Sequence, residues 1–311
     1  MDIKKECIFI TGAGGFVGAC LTRCLVDMGI KPHVLVQPKT DLWRLSDIRA
    51  NIFVYEGDLT DAVFLSGIIH SIRPTIIYHF AAHGAYASQM DANRIMTTNI
   101  LGTLNLLQAL EVVDYKIFVN TGSSSEYGFK SQSMRETDVP VPNSFYAVSK
   151  ASQTMLCQYM AMAQKKNIVT LRLFSVYGPY EEPTRLVPTI IRLSLHGKDL
   201  TMATPEVARD FIFVDDVIDA YLNVESLMKA SGEILNIGSG VEVTLKEITD
   251  LVLELTQSKV RVQWGGMPNR SWDTSIWVGD ITKARTLLGF SSRTTLKQGL
   301  TKTITWMKKH G

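Results

Sequence analysis

The 311-residue sequence is poor in cysteine, in net charge and in long apolar runs, and each shortage excludes a class of protein. Its four cysteines, Cys7, Cys20, Cys24 and Cys157, form no Cys/His cluster with metal-ligand spacing, which predicts apolar packing in a reducing cytoplasm and no metal site. The formal net charge of +2 gives no case for a nucleic-acid partner or an anionic membrane surface. No apolar run reaches the roughly 18 residues of a membrane-spanning helix. The N-terminus leads directly into a first predicted strand, which predicts no signal peptide.

What the sequence does contain begins with a glycine cluster in the stretch Ile8–Gly18. The apolar run Cys7–Ile10 predicts a buried strand of a parallel sheet. Gly12, Gly15 and Gly18 follow at intervals of three, and a helical apolar pattern continues after them. Strand, glycine turn and helix open a dinucleotide-binding βαβ unit, because glycines let a pyrophosphate approach the backbone and the helix N-terminus offers free N–H groups. The alternative is a tight turn that binds no ligand.

Apolar and amphipathic segments alternate along the rest of the chain, which predicts an α/β fold. Further strands are predicted at Pro32–Gln37, Ile52–Glu56, Thr75–Phe80, Tyr115–Asn120, Val169–Phe174 and Ile234–Gly238, the last running into a turn. Helices are predicted at Asp61–Ile72, Thr97–Leu110, Tyr146–Ala163, Leu245–Thr256 and Leu296–Lys308. The chain is expected to leave the main sheet at Tyr180 and to return with Asp210–Val224. This order favours a doubly wound parallel sheet with a smaller C-terminal domain.

The end of the second predicted strand bears on the choice of cofactor. An acidic residue there would bind the 2′-hydroxyl of an adenosine ribose and repel a 2′-phosphate. This chain has Gln37, Pro38 and Lys39, with Arg44 further on and no carboxylate before Asp41. The pattern favours NADP over NAD. The alternative is a solvated basic loop that discriminates little between the two.

Four other residues lie where a dinucleotide fold meets its cofactor. Asp58 follows the third strand, where an acid can hydrogen-bond the adenine amino group and can equally cap the helix Asp61–Ile72, two roles that are compatible. The small residues Ala81 and Ala82 after the fourth strand suit a backbone that passes close under the cofactor. Asn99 either braces the active-site backbone or forms a local side-chain cap.

A serine cluster and a tyrosine–lysine pair carry the predicted chemistry. The serines begin at Ser123, at the end of the fifth strand, where parallel strands open into a ligand crevice. Tyr146 and Lys150 are four residues apart at the start of a helix and share one face. An ammonium beside a phenol is expected to lower the tyrosine pKa, which makes Tyr146 an acid/base near neutral pH. Ser123 can hydrogen-bond the same substrate oxygen.

Together these motifs resemble the extended short-chain dehydrogenases/reductases that act on nucleotide sugars, over nearly the whole length. The pieces that carry the resemblance are Thr11–Gly18, Asp58, the Ser123 loop, Tyr146 with Lys150, Arg209-Asp210-Phe211 with Val214-Asp215-Asp216, and Asn236–Gly240. The resemblance implies a Rossmann fold, a nicotinamide cofactor (NADP, with NAD possible) and a nucleotide-diphosphate sugar substrate. It also implies that Ser123, Tyr146 and Lys150 form the catalytic triad and that Lys150 holds the nicotinamide ribose.

The resemblance also implies a set of binding residues and a domain division. The implied cofactor contacts are Gly12, Gly15, Phe16, Val17, Gln37, Arg44, Asp58, Leu59, Phe80, Ala81, Ala82, Asn99, Tyr146 and Lys150. The implied substrate contacts are His83, Ser124, Ser125, Ser175, Arg185, Arg209 and Arg270, although each arginine is as well explained by a surface ion pair and similar enzymes often have asparagine at Ser175. The nucleotide domain would comprise residues 1–174 and 211–235, and the substrate domain residues 175–210 and 236–311.

A cytoplasmic homodimer is expected by the same resemblance. The helices Thr97–Leu110 and Tyr146–Ala163 would pack against their symmetry mates as a four-helix bundle. Apolar residues available for this are Leu107, Leu156, Met160 and Met162, which could equally face the sheet.

The reaction within the group depends on Ser125. Similar 4,6-dehydratases have at this position a glutamate that removes the C5 proton, and an alcohol is far too weak a base for that step. Glu126 is adjacent, but a one-residue offset in an extended segment would point it to the opposite side. The segment Gly122–Gly128, Gly-Ser-Ser-Ser-Glu-Tyr-Gly, is more similar to the corresponding segment of 4-keto-6-deoxy-sugar reductases. The first expectation is therefore a reductase that consumes NADPH. A 4-epimerase is the alternative, a dehydratase the third, and a non-catalytic dinucleotide-binding sensor the rival from another class.

Overall fold

The computed structural model describes residues 2–86, 88–267 and 276–310. Its strands are β1 (Ile8–Thr11), β2 (His33–Val36), β3 (Phe53–Glu56), β4 (Ile76–His79), β5 (Ile117–Ser123), β6 (Ile168–Leu173), β7 (Ser175–Tyr177), β8 (Leu200–Thr201), β9 (Ala208–Phe213), β10 (Ile234–Ile237), β11 (Glu242–Thr244) and β12 (Val262–Gln263). Its α-helices are α1 (Phe16–Asp27), α2 (Ala62–Ile72), α3 (Ala92–Met96), α4 (Gly102–Ala109), α5 (Phe145–Ala163), α6 (Leu186–Leu195), α7 (Val214–Leu222), α8 (Val224–Lys229), α9 (Leu245–Thr256), α10 (Thr282–Leu288) and α11 (Leu296–His310).

The main sheet has seven parallel strands in the order β10-β6-β5-β4-β1-β2-β3. Alternate side chains of β1 enter two cores, with Ile8 and Ile10 on one face of the sheet and Phe9 on the other. Both faces are therefore covered, as a parallel sheet requires. The strand order reverses between β1 and β4, and ligands of doubly wound sheets bind in the crevice at that point. The predicted fold class is confirmed.

The predicted helix Thr97–Leu110 belongs to a longer helical run that contains a π-turn. Helix α3 precedes it, the segment Thr97–Leu101 forms a π-helical turn, and α4 follows. Single π-turns inside helices are often found at functional sites. Here the turn contains the buried residue Asn99.

Helix α2 begins differently from the expectation for Asp58. Its N-cap is Asp61, whose Oδ1 accepts the Phe64 N–H at 2.9 Å. Asp58 accepts from the backbone N–H and the hydroxyl of Thr60, both at 2.9 Å, so it stabilises the turn before the helix. The prediction that Asp58 caps this helix is wrong, and the physical reason is that Asp61 stands three residues before the N–H that is capped.

The chain was expected to return to the main sheet with Asp210–Val224, and this expectation is wrong. Strand β9 does not join the main sheet. It lies between β7 and β11 in a separate three-stranded sheet, parallel to β7 and antiparallel to β11. Only Phe174 separates β6 from β7, and its N–H still bonds Ile237 O at 3.0 Å before the chain diverges. The main sheet is completed later, by β10.

Asp210 in β9 ties this small sheet to two later segments. Its side chain is fully buried, and Oδ1 accepts the Ser239 N–H and hydroxyl at 2.6 Å. Its Oδ2 accepts the N–H groups of Gly240 and Gly279, each at 3.1 Å. A Cβ atom at Gly238 would lie 2.5 Å from Oδ2, so the backbone passes very close to the carboxylate. One acidic side chain thus satisfies four donors from separate parts of the chain.

We predict that Asp210→Asn lowers the free energy of unfolding by about 2–4 kcal/mol, because the amide NH₂ would face N–H donors and leave buried groups unpaired. Urea denaturation followed by circular dichroism measures this. Asp250→Asn on the exposed face of α9 is the matched control and should cost ~0.5 kcal/mol or less. Equal stability of the two variants would contradict the structural role of Asp210.

Candidate active site

The glycine turn at the start of α1 has the geometry of an anion-binding cradle. Gly12 has a φ of +73°, and a Cβ atom there would lie 2.5 Å from the Ala81 backbone nitrogen. Gly15 is the N-cap of α1 and makes no side-chain cap hydrogen bond. The first N–H groups of the helix are therefore left for a ligand, at the positive end of the helix dipole. These residues fit the pyrophosphate of a dinucleotide.

The other predicted cofactor residues lie around this turn and along the carboxyl ends of β3 and β4. Phe16 and Val17 open α1 and pack against the main core. Leu59 is buried under α4, where a Cβ atom at Gly102 would lie 2.8 Å from the Leu59 Cβ. The Phe80 ring packs on Tyr221, and the Ala81 N–H is 3.3 Å from Thr11 Oγ1. Ala82 is half-buried next to them.

At the end of β2, Gln37 joins two neighbours. Its Nε2 donates to Asp58 Oδ2 at 3.4 Å, and its Oε1 accepts from Arg94 Nη2 at 3.3 Å. Arg94 lies in α3 and was missed by the sequence analysis, because it is 57 residues away in the chain. The Arg44 side chain instead bonds other segments of the protein. Each nitrogen of its guanidinium donates inside the protein, to Tyr180 O, Gly14 O and Glu182, and these contacts give no support to Arg44 as a ribose-phosphate ligand.

Ser123, Tyr146 and Lys150 meet at the end of β5 and the first turns of α5. The Tyr146 hydroxyl shares a hydrogen bond with the Ser123 side chain. Burial raises the pKa of Tyr146, while Ser123 and the positive charge of Arg185 act to lower it. The expectation that Tyr146 has a lowered pKa is therefore wrong for the structure described. Desolvation of the phenol outweighs these groups, and the two recorded bonds of Lys150 Nζ go to Thr121 O and Gln153 Oε1, not to Tyr146.

The Lys150 ammonium is buried in a network of carbonyl oxygens. Its Nζ donates to Thr121 O and to Gln153 Oε1, each at 2.5 Å. Gln153 is held in turn because its Nε2 donates to Asn120 Oδ1 at 2.9 Å. Burial lowers the pKa of Lys150 to about 8, and the negative charge of Glu126 opposes that shift. Lys150 is thus mostly protonated at neutral pH.

Glu126 is the nearby acid that the sequence analysis could not assign. Its Oε1 accepts the Ser123 N–H at 2.7 Å, and its Oε2 accepts from Arg172 Nε at 2.8 Å. Both side chains of this ion pair are almost completely buried. Residues Ser124–Tyr127 form a 3₁₀ helix, so the extended geometry from which Glu126 was expected to point away from Ser125 is wrong, and its carboxylate is instead held by the Ser123 N–H and Arg172. The buried pair with Arg172 has no signal in the sequence, since the two residues are 46 positions apart.

Asn99 braces the loop that follows β4. Its Oδ1 accepts the His83 N–H at 2.7 Å, and its Nδ2 lies 2.9 Å from His83 O and 2.8 Å from Ser149 Oγ. Asn99 therefore links this loop to helix α5. Of the two roles expected for Asn99, these contacts match bracing of the backbone and do not match a local side-chain cap.

The predicted substrate residues are divided between the crevice and the small sheet. The Ser124 hydroxyl accepts from Trp277 Nε1 at 3.1 Å, and the Ser125 N–H bonds Ser123 Oγ at 3.2 Å. Ser175 begins β7 opposite Phe211.

The arginines among the predicted substrate residues lie in different elements. Arg185 is the N-cap residue of α6, and its Nη1 donates to Ala85 O at 3.3 Å. The Arg209 guanidinium lies over the Trp277 ring. Arg270 lies outside the described residues.

The sequence analysis missed one further buried acidic residue, Glu181. Glu181 follows β7, and its Oε2 is buried without a hydrogen-bond partner among the described residues. Burial raises the pKa of Glu181 to about 8, against the nearby charges of Arg185 and Arg44. The carboxyl is therefore mostly neutral at pH 7. Nothing in the local sequence distinguishes it from the half-buried Glu182 beside it.

The described residues contain neither a helix fit to span a membrane nor a cluster fit to bind a metal. None of the described helices has the length and apolar composition to span a membrane. Within residues 2–86, 88–267 and 276–310, no group of three or more His, Cys, Asp or Glu side chains is placed to hold a metal ion.

The fold is that of a Rossmann-type enzyme, and comparison with known proteins identifies its family. The sequence model of the NAD dependent epimerase/dehydratase family matches residues 8–238. The chain belongs to that family. The resemblance predicted from the motifs is thereby confirmed at this level.

Individual relatives span nearly the whole chain. A dTDP-glucose 4,6-dehydratase of Streptomyces griseus is 28% identical, over 97% of this chain and 94% of that protein. The structure of a UDP-glucose 4-epimerase of Thermotoga maritima with UDP-glucose is 27% identical, with a TM-score of 0.89 and coverage of 97% and 99%. That of a UDP-glucuronic acid 4-epimerase of Bacillus cereus, in complex with UDP-glucuronic acid and NAD, is 26% identical, with a TM-score of 0.86 and coverage of 98% and 99%.

We predict that Tyr146→Phe lowers kcat by at least about 100-fold, because the variant keeps the ring and loses the hydroxyl that moves the proton. Cofactor affinity, measured by fluorescence titration, should be unchanged. Tyr159→Phe, on the exposed side of the same helix, is the matched control. Near wild-type turnover in Tyr146→Phe would remove Tyr146 from the catalytic role.

Proposed function

We propose that the protein is a 4-epimerase of a nucleotide-diphosphate hexose that keeps its nicotinamide dinucleotide bound during turnover. The observation that carries the proposal is the meeting of Ser123, Tyr146 and Lys150 at one strand end with no basic side chain at position 125. An epimerase needs only that constellation, since it oxidises and re-reduces one carbon. The similarity to two 4-epimerase structures, one with UDP-glucose and one with UDP-glucuronic acid and NAD, supports the same choice.

The residues divide the chemistry as follows. Tyr146 accepts the proton of the sugar 4-hydroxyl as the ketone forms and returns it when the hydroxyl forms again. Ser123 donates a hydrogen bond to the same sugar oxygen, and the positive charge of Arg185 favours the phenolate of Tyr146. The protonated Lys150 holds the nicotinamide ribose. When bound, the nicotinamide ring supplies reversible two-electron oxidation at C4. The glycine turn and the N-terminus of α1 hold the pyrophosphate.

A 4,6-dehydratase is a poor alternative because the described residues of the site offer no base for the C5 proton. Elimination requires a base that removes the C5 proton, and the hydroxyl of Ser125 is far too weak a base for that step at neutral pH. The adjacent Glu126 cannot replace it, since both carboxylate oxygens are bonded, to Arg172 and to the Ser123 N–H. The similarity to a dTDP-glucose 4,6-dehydratase therefore bears on ancestry more than on this reaction.

A 4-keto-sugar reductase that uses NADPH, the first expectation from the sequence, becomes the second candidate. The observation in its favour is the contact of Arg94 with Gln37 at the end of β2. An arginine there suits a 2′-phosphate, and the glutamine does not repel one. A reductase needs a dissociable reduced cofactor, whereas an epimerase recycles the bound one.

The test is incubation with UDP-glucose or UDP-glucuronic acid, while proton NMR follows the C4 configuration and absorbance follows the reduced cofactor. The proposal predicts interconversion of the C4 epimers with no net change in cofactor. A parallel reaction contains NADPH and a 4-keto-6-deoxy nucleotide sugar, and Tyr146→Phe serves as the inactive control in both. Stoichiometric oxidation of NADPH without epimerisation would replace the proposal with the reductase. A 4-keto-6-deoxy product from the parent hexose would show that the argument from Ser125 was mistaken.

We also propose that the enzyme is a homodimer joined through α5. Val148, Met155, Tyr159 and Met162 are exposed and follow one another at helical spacing. Most of the residues first expected to form the interface face the protein core. Leu107 and Met160 are buried in the core, Leu156 packs against it, and only Met162 is exposed. A large apolar stripe on one helix face is typical of a protein–protein contact.

Met155→Lys is expected to shift the protein from dimer to monomer, because a lysine would be buried without a partner at the interface. Light scattering at micromolar concentration measures the mass. Val63→Lys, an exposed apolar position on α2, is the control and should leave the dimer intact. A wild-type protein that is monomeric at that concentration would refute the proposal.

A further inference from the structure

The side chain of Arg44 joins three segments that are distant in the sequence. It is almost fully buried. Its Nε donates to Tyr180 O at 2.7 Å, its Nη1 to Gly14 O at 3.2 Å, and its Nη2 to Glu182 Oε2 at 3.0 Å. We call this arrangement, Arg44 with Gly14, Tyr180 and Glu182, the Arg44 clasp. The guanidinium also stacks on the Trp43 ring, 4.3 Å from its centroid, which fixes its plane.

The segment that the clasp holds is packed into one conformation. Tyr180 has a φ of +69°, in the left-handed region that side chains rarely adopt. Its ring packs on Trp306 of α11 at 4.7 Å, and the Arg23 guanidinium lies 4.7 Å above it. Pro179 O lies 3.7 Å from the Cys20 Sγ in α1. The segment is therefore anchored both to the C-terminal helix and to the first helix.

One end of the clasp lies on the glycine turn. Gly14 O is part of the turn between β1 and α1, and a Cβ atom at Gly14 would lie 2.7 Å from Thr40 Cγ2. The other end leads to the catalytic residues. Three residues after Glu182, Arg185 bonds Ala85 O, and its positive charge acts on the Tyr146 hydroxyl. The held segment thus runs from the pyrophosphate cradle to the catalytic tyrosine.

We propose that the Arg44 clasp closes the dinucleotide site and retains the bound dinucleotide between turnovers. The bonds of Arg44 to Tyr180 O and Glu182 Oε2 must break for the segment Tyr180–Glu182 to move away from the glycine turn. Breaking them leaves a buried guanidinium with Gly14 O as its remaining partner, which slows opening. The inference rests on the dinucleotide site of the proposed function, and it holds for either an epimerase or a reductase.

The experiment measures dissociation of NADH by stopped-flow fluorescence, with excess NAD as the displacing ligand. Arg44→Met keeps the length and the apolar stem and removes every donor, so NADH release should be at least about tenfold faster. Glu182→Gln weakens only one of the three bonds and should give a smaller increase. Arg49→Met, an exposed arginine on the same 3₁₀ segment Trp43–Asn51, is the matched control and should release NADH at the wild-type rate.

Circular dichroism and thermal unfolding of the cofactor-free variants establish that they are folded. A folded Arg44→Met variant with the wild-type release rate would overturn the inference. If Arg44→Met does not fold, Glu182→Gln decides, and an unchanged release rate there overturns it. Failure of the wild-type protein and of Arg49→Met to bind either NADH or NADPH would instead refute the dinucleotide site, a result distinct from failure of the clasp.

Discussion

The buried ammonium of Lys150 is the constraint on which the catalytic end of the sheet depends. Its Nζ is held by Thr121 O and Gln153 Oε1, and Gln153 is held by Asn120. Burial disfavours the charged form and lowers the pKa of Lys150 to about 8, even against the opposing negative charge of Glu126. Glu126 offsets it, and Arg172 compensates Glu126 in turn. Because Glu126 also accepts the Ser123 N–H, the same charges that keep Lys150 protonated fix the strand end that carries the serine.

Much of the fold could be predicted from the sequence, because its signals are local. The glycine cluster after an apolar strand predicted the β1–α1 turn, and the spacing of Tyr146 and Lys150 predicted one helix face. Burial on both sides of a parallel sheet gives continuous apolar runs, so the strands of the main sheet were found with small errors at their ends. Strand β9 was assigned to the wrong sheet because pairing partners are set by the course of the chain after β6, which no local pattern contains.

The parts of the site that were not predicted depend on long-range contacts. Arg44 has the chain position and the charge of a phosphate ligand, yet its guanidinium is used by Tyr180 and Glu182, more than 130 residues away. The partners of Glu126, the contact of Arg94 with Gln37 and the burial of Glu181 are of the same kind. The apolar residues of α5 show the same limit, because periodicity alone does not tell which of two apolar faces meets the sheet.

The central claim is that one tyrosine–lysine site oxidises and re-reduces a single sugar carbon without releasing its cofactor. The most direct measurement is the fate of deuterium placed at C4 of UDP-glucose or UDP-glucuronic acid, followed by NMR and mass spectrometry in the presence of unlabelled free NAD. The account predicts that deuterium remains at C4 in both epimers and that none appears in the free cofactor. Deuterium in the free cofactor pool, or incorporation of solvent hydrogen at C5, would contradict it.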